Sequence, residues 1–250
     1  MRLFAKLAKK IRAAMEGHGF TCDSCGAEIY TYPIHRLCED CERKLPRLRE
    51  KFCEKCGREL VSEGVCIDCK ANAPKFDKGM MPFVYSGLAA SMINRLKIGE
   101  PGLAPFFGEE MARTFTLRYD GERTESFLIV PVPMTAAAQK KRGYNQSERI
   151  AETLCRELNE LGFHAELDTD VLRKHRDTAQ QKHMKFKERA LNVKGAYHVH
   201  KRKLCRDRKI LLVDDIMTTG STGSECARRL LGAGASAVYF LAATALSERK

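Results

Sequence analysis

Hydrophobic positions along this chain fall into two regimes. From about residue 81 onward, apolar runs alternate with helical patterns; between 20 and 72, long apolar runs are scarce. Met80-Met81-Pro82-Phe83-Val84-Tyr85 predicts a strand, and Leu88 to Leu96 and Pro105 to Leu117 predict helices. Phe127-Leu128-Ile129-Val130-Pro131-Val132 and Lys209-Ile210-Leu211-Leu212-Val213 are near-continuous apolar runs, as expected of strands covered on both faces. Asn145 to Leu161 places Ile150, Leu154, Leu158 and Leu161 on one helical face, with Asn145 and Glu148 spaced as a capping box. Ser221 to Leu231 predicts a further helix, and Ala237 to Ala242 a last strand. Strands separated by helices imply an α/β domain with a mostly parallel sheet over about 80–250. At the other end, Leu3, Phe4, Leu7, Ile11, Ala14 and Met15 recur at helical spacing opposite Arg2, Lys6, Lys9, Lys10 and Arg12. This predicts a basic amphipathic helix within 1–19. Its first reading is a docking helix with a solvated basic face; an interfacial helix on anionic lipid and an organellar presequence are the alternatives. Residues 73–80, with Pro74 and Gly79, read as a linker.

Composition adds three constraints. With 250 residues and 44% hydrophobic side chains, the chain can bury a core, which excludes wholesale disorder. No apolar run reaches the ~18 residues of a membrane span, and no secretory h-region is present, so a cytoplasmic protein is expected, associated with membrane only through the basic helix. Eight of the 11 cysteines form four C-x-x-C pairs: Cys22/Cys25, Cys38/Cys41, Cys53/Cys56 and Cys66/Cys69. In a reducing compartment this clustering indicates zinc rather than disulfides. Each C-x-x-C turn offers two thiolates, and a second pair about a dozen residues later closes a tetrahedral site. Gly26 and Gly57 follow the second cysteine of their pairs, where the turn under a zinc knuckle calls for positive φ. Two structural Zn²⁺ in a double zinc-ribbon module over 20–72 are expected. Sequential pairing is simplest and a crossed arrangement stays open. His35 reads as a surface residue rather than a ligand.

Charge and one contiguous motif supply the candidate chemistry. Lys and Arg total 44 against 32 Asp and Glu, and residues 139–209 hold 19 basic and 10 acidic side chains. Such a field attracts phosphates. In Val213-Asp214-Asp215-Ile216-Met217-Thr218-Thr219-Gly220-Ser221-Thr222 an apolar strand ends in two carboxylates, then a hydroxyl-rich turn leads into a helix. Thr222 and Glu225 have capping-box spacing. Free amides at 219–222 together with the helix dipole make a cradle for a monophosphate. Two acids beside such a cradle make sense as acceptors for vicinal sugar hydroxyls, so a ribose 5-phosphate fits. This stretch resembles the binding signature for 5-phosphoribosyl-1-pyrophosphate (PRPP) in type I phosphoribosyltransferases. That resemblance implies their fold and a Mg²⁺–PRPP ligand held by Asp214, Asp215, Thr218, Thr219, Gly220, Ser221 and Thr222. Purine-salvage members carry an aspartate where Thr218 stands, which argues against that acceptor class.

Three further segments narrow the family. Pro131-Val132-Pro133-Met134 ends a strand, and Lys140, Lys141 and Arg142 before Gly143-Tyr144-Asn145-Gln146-Ser147 read as cations for a pyrophosphate, or else as a basic loop solvating a surface. Thr178-x-x-Gln181 and Arg189-x-x-Asn192 lie in a polar segment that reads as a mobile loop closing over ligand, or else as a plain surface loop. Leu96-Lys97-x-Gly99-Glu100 follows a short helix. Cysteine pairs, Arg-Gly-Tyr-Asn-Gln, Thr-x-x-Gln with Arg-x-x-Asn, and Val-Asp-Asp-x-x-Thr-Thr-Gly-Ser-Thr together resemble the ComF family of competence-associated, phosphoribosyltransferase-like proteins over about 20–245. The family implies a role in DNA uptake or nucleotide handling and leaves the acceptor open. The rival expectation is a single-stranded DNA-binding or adaptor protein of the uptake machinery with a regulatory or vestigial PRPP site. The basic tract 201–209 reads as a solvated turn or as a DNA track. Sparse aromatics in 139–209 count against base stacking. Cys155 and Cys226 read as core, and Cys205 as an incidental thiol whose basic surroundings could activate it.

Overall fold

The computed structural model describes residues 21–31, 35–48, 50–176 and 192–247. The basic helix predicted within 1–19 lies outside them. In chain order the elements are α1 (Glu39–Arg43), α2 (Ile67–Ala71), β1 (Lys78–Met80), β2 (Phe83–Val84), α3 (Gly87–Ile98), a 3₁₀ turn (Pro101–Leu103), α4 (Ala104–Arg118), β3 (Ser126–Pro131), α5 (Ala136–Arg142), α6 (Gln146–Glu160), β4 (His164–Leu167), β5 (Leu172–Lys174), β6 (Tyr197–Val199), α7 (Arg202–Cys205), β7 (Lys209–Met217), α8 (Ser221–Leu231) and β8 (Ala237–Ala245).

The sheet runs β1-β8-β7-β3-β4 with every pairing parallel. Alternate residues of its central strands face opposite layers. Phe127, Ile129, Leu211 and Val213 join α3, α4 and α6 in one core, while Leu128, Val130, Ile210 and Leu212 join α8 in the other. Both faces are buried, which explains why these strands read as continuous apolar runs. The strand predicted at 80–85 is two pieces. β1 pairs with Tyr239–Leu241 and β2 with Thr244–Ala245, interrupted at Pro82, which has no N–H for the ladder. The presumed linker also belongs to the fold: Phe76 is fully buried against Phe240, and β1 begins at Lys78. β5 and β6 form an antiparallel hairpin beside α8, outside the main sheet.

The cysteine module straddles the β1/β2 edge, one half on each face. Cys22, Ile29, Leu37, Cys41 and Leu45 pack into the core under α3 and α4; Cys53, Cys56, Leu60, Cys66 and Cys69 pack into the α8 side. Polar ties fix both halves. Arg36 pairs with Glu109 at 2.8 Å with both side chains buried, and Arg95 donates to the Ser24 carbonyl at 2.7 Å. Arg118 donates to Leu48 O at 2.6 Å and lies over the Phe52 ring. On the other half, Gly79 N donates to Lys55 O at 2.9 Å.

Candidate functional site

β7 runs four residues beyond its apolar stretch. Pairing with β8 continues through Asp214↔Ala242 and Ile216↔Thr244, so both aspartates belong to the strand. As expected from the sequence, they lie near the end of the strand, at the C-terminal edge of a parallel sheet, where α/β proteins place ligands. Asp214 Oδ1 accepts from Ser147 Oγ at 3.0 Å and from the Asp215 amide at 2.9 Å. Burial, then the neighbouring Asp215 charge, push the Asp214 carboxyl up from 3.8 to about 7, against the pull of Ser147 and Lys97. Asp215 is 5% exposed, and its Oδ2 faces Lys97 Nζ at 3.1 Å. Thr244 Oγ1 donates to the Asp215 carbonyl at 3.2 Å.

The turn that follows enters α8 through Gly220, the helix N-cap at φ 76°, a conformation that favours glycine. Thr219 Oγ1 and Ser221 Oγ are 2.8 Å apart, and Thr219 Oγ1 also accepts from Ser221 N. An α-helix of 11 residues leaves its first-turn amides without intrahelical partners, so the turn has the donor geometry of an anion cradle. The expected Thr222–Glu225 capping box does not form. Gly220 occupies the cap, and Glu225 instead accepts from Gly195 N and pairs with Arg228 and Arg229, which holds its carboxyl below its ordinary range despite burial. Tyr197 of β6 is buried nearby. Burial raises its phenol well above the usual value.

Lys140, Lys141 and Arg142 lie in the last turn of a short helix, α5, not in an open loop. Thr135 caps α5 at its start, and Gly143 (φ 89°) ends it. Both lysines are exposed, while Arg142 Nη1 reaches Gln146 Oε1. Asn145 caps α6 by accepting from Ser147 N and ties back to Val132 O at 3.1 Å. The Arg-Gly-Tyr-Asn-Gln-Ser run is thereby anchored to the end of β3, and its Ser147 reaches the acids. Of the loop candidates, Asn192 accepts at its carbonyl from Arg176 at 3.3 Å. Thr178, Gln181 and Arg189 lie outside the described residues. In the basic tract, Lys201 pairs with Asp168, Arg208 with Glu166 and Lys209 with Glu125, and Arg202 donates to Gly232 O. These cations are engaged within the fold, as a structural turn requires. Cys205 is fully buried, and burial raises its thiol, so its basic neighbours do not activate it.

Two participants were not identified as site residues from sequence. Lys97 stood in a recognised segment without a role, and Ser147 closed the Arg-Gly-Tyr-Asn-Gln-Ser run. The sign of the Asp214 shift gives a prediction. Its native carboxyl holds a proton between about pH 4 and 7 that the unfolded carboxyl releases, so this group's stabilisation fades as pH rises through that window. The wild-type melting temperature should fall more between pH 6 and 8 than that of Asp214→Asn, measured in the presence of zinc. Equal slopes would show that Asp214 does not titrate there.

The cysteines gather as two sets, Cys22/Cys25/Cys38/Cys41 and Cys53/Cys56/Cys66/Cys69, each with all sulfurs within 4.8 Å of one another. Pairing is sequential. A tetrahedral ion with Zn–S bonds of ~2.3 Å places its sulfurs ~3.8 Å apart. Cys25 and Cys38 are 3.7 Å apart, and Cys56 and Cys66 are 3.8 Å apart. Backbone amides back the sulfurs: Cys56 N and Cys66 N donate to Cys53 Sγ at 3.4 and 3.3 Å, and Cys38 N donates to Cys22 Sγ at 3.4 Å. Four thiolates with no position left for water fit a closed, structural zinc site.

Cysteine ribbons on the edge of a parallel α/β sheet, with acids and an anion cradle at its C-terminal rim, define an α/β protein with a double zinc-ribbon module. Residues 17–70 match the double zinc ribbon domain family. The chain is 25% identical to Competence protein ComFC of Bacillus subtilis, over 86% of this chain and 89% of that protein. It is 27% identical to Competence protein F of Haemophilus influenzae (86% and 93% covered) and 27% identical to DNA utilization protein YhgH of Escherichia coli (81% and 87% covered). The ComF resemblance therefore extends over most of the chain. Among solved structures, a hypoxanthine phosphoribosyltransferase from Staphylococcus aureus overlaps 56% of this chain and 61% of its own, less than two thirds of its length, at 11% identity and TM-score 0.32.

Proposed function

We propose that this protein binds PRPP with Mg²⁺ at the end of β7 and works as a phosphoribosyltransferase-like protein in nucleotide handling linked to DNA uptake. The observation that carries the reading is the joining of three distant segments at one rim: Asp214 with Ser147, Asp215 with Lys97, and the Gly220 cradle at the start of α8. In this reading the amides and hydroxyls of 218–222 take the 5-phosphate, and Asp214 and Asp215 take the ribose hydroxyls. Lys140, Lys141 and Arg142 approach the pyrophosphate from the end of α5. Carboxylate oxygens beside the cradle suit a hard cation, and Mg²⁺, when bound, neutralises charge on the diphosphate. Any transfer step would draw on positioning and on charge stabilisation as the ribosyl carbon becomes cationic. The chain's similarity to competence proteins and to a DNA utilization protein supports the link to DNA.

Calorimetric titration of the zinc-loaded protein with PRPP, with and without Mg²⁺, tests the reading. Mg²⁺-dependent binding is expected for the wild type. The double variant Asp214→Asn/Asp215→Asn should lose at least about tenfold in affinity, since charge-assisted hydrogen bonds contribute ~1.5–3 kcal/mol each. Absence of binding to the wild type would overturn the reading and favour the DNA-binding or adaptor alternative.

A further inference from the structure

Arg58 joins the second zinc centre to the phosphate cradle. It follows Cys56-Gly57 in the second ribbon and is 4% exposed. Nη1 pairs with Asp68 Oδ2 at 2.8 Å, and Asp68 lies on α2, the helix that carries Cys69. Nη2 donates to the carbonyl of Thr218 at 3.3 Å, across 160 residues of chain. Nε is buried without a hydrogen-bond partner.

A buried guanidinium is costly unless compensating charge surrounds it. A Zn²⁺ with four thiolates would carry two net negative charges, and Arg58 follows the ligand Cys56 by two residues and pairs with Asp68 on the helix of Cys69. The zinc centre therefore anchors the cation, and the cation in turn holds Thr218 O. In a planar trans peptide the carbonyl of one residue and the N–H of the next point in opposite directions. Pinning Thr218 O toward the ribbon thus turns the Thr219 amide away from it, to the side opposite the zinc. A cavity of about 440 Å³ is lined jointly by Cys56, Arg58 and Lys75 and by Thr219, Gly220 and Ser221, so the ribbon and the turn share one surface.

We infer that Arg58 is a positioning residue through which the second zinc centre sets the donor geometry of the 218–222 turn for a phosphomonoester. The inference rests on the phosphoribosyl reading for the ligand, and on the fold alone for the coupling. Amide hydrogen exchange therefore tests the coupling without ligand. In Arg58→Met, exchange at the Ser224 amide, which donates to Gly220 O in the turn at 2.8 Å, should rise about tenfold, the equivalent of one lost charge-assisted hydrogen bond. Strand 210–213 should stay protected and two zinc ions per chain should be retained. Lys keeps the charge but lacks the fork needed to hold Asp68 and Thr218 O together, so Arg58→Lys should show a smaller rise, about threefold. PRPP affinity should fall in the same order, Met more than Lys. Wild-type exchange at Ser224 in a zinc-replete Met variant overturns the inference. If Arg58→Met fails to fold or loses zinc, the Lys variant carries the test, and unchanged exchange there overturns it equally. If wild-type protein binds no PRPP, the ligand reading fails while the exchange result still decides the coupling.

Discussion

Cys53→Ser should unfold the second ribbon and loosen the adjoining edge of the sheet. Cys53 is fully buried, and its sulfur is an acceptor for two backbone amides, Cys56 N and Cys66 N, besides being a metal donor. Structural zinc in small ribbons carries ~10–16 kcal/mol of apparent binding free energy at neutral pH, and this module has little apolar core to substitute for it. The damage should spread because the ribbon is built into the sheet. Gly79 N donates to Lys55 O, and Cys53, Cys56, Cys66 and Cys69 share a core with Phe76, Met81 and Phe240. Cys25→Ser should be milder, since Cys25 is exposed and its half of the module is also held by the buried Arg36–Glu109 pair. Zinc content and thermal unfolding check this. Cys53→Ser is expected to bind one zinc per chain and to melt at least about 10 °C lower, a loss of several kcal/mol at ~2–4 °C per kcal/mol for a chain of this size. Two zinc ions and an unchanged midpoint would show that the second site does not hold the fold.

How far the sequence revealed this arrangement depended on the range of the interactions. Helices α3, α4, α6 and α8 and strands β3, β7 and β8 announce themselves because each buries a periodic or continuous apolar set. Strands of three residues, such as β1, β5 and β6, are too short to show a period. α5 was read as loop because its sequence, Ala-Ala-Ala-Gln-Lys-Lys-Arg, buries none of its residues. The extension of β7 through Ile216 and Met217 is a tertiary effect: β8 supplies ladder partners through Ala245, beyond the two acids that end the apolar run. At the site, the contiguous motif was legible in full. The groups that organise it come from elsewhere: Lys97 from α3, Ser147 from α6 and Arg58 from the ribbon. Their pairing with residues 214–218 follows from how the ribbon and helices stack on the sheet, which no local spacing records. The four cysteine pairs are the opposite case, since metal chemistry fixes their local spacing and makes it readable.

Gly57→Ala should be the most damaging single-methyl change at the junction between ribbon and sheet. Two independent costs add there. Gly57 has φ +73°, where a side chain costs ~1–2 kcal/mol. A Cβ at that position would also stand 2.2 Å from Gly79 O and 2.7 Å from Gly79 C. Those are backbone atoms of β1, which is paired to Tyr239–Leu241, so they cannot step aside as a flexible side chain could. Relieving the overlap means parting the knuckle from the strand, at a cost typical of overpacking, ~1–3 kcal/mol. The sum is about 2–5 kcal/mol. Gly26→Ala supplies the internal control. Gly26 occupies the matching position of the first ribbon at φ +75°, yet a Cβ there meets nothing within 4 Å. It should lose only the conformational part. Urea unfolding of the two variants against wild type, with zinc in excess, separates the terms. The expected order is Gly57→Ala well below Gly26→Ala, with the difference measuring the contact between the ribbon and β1. Equal losses at the two positions would mean that the second ribbon can lift from the sheet edge at little cost, and the tight seating of Cys56-Gly57 on Gly79 would then contribute nothing to stability.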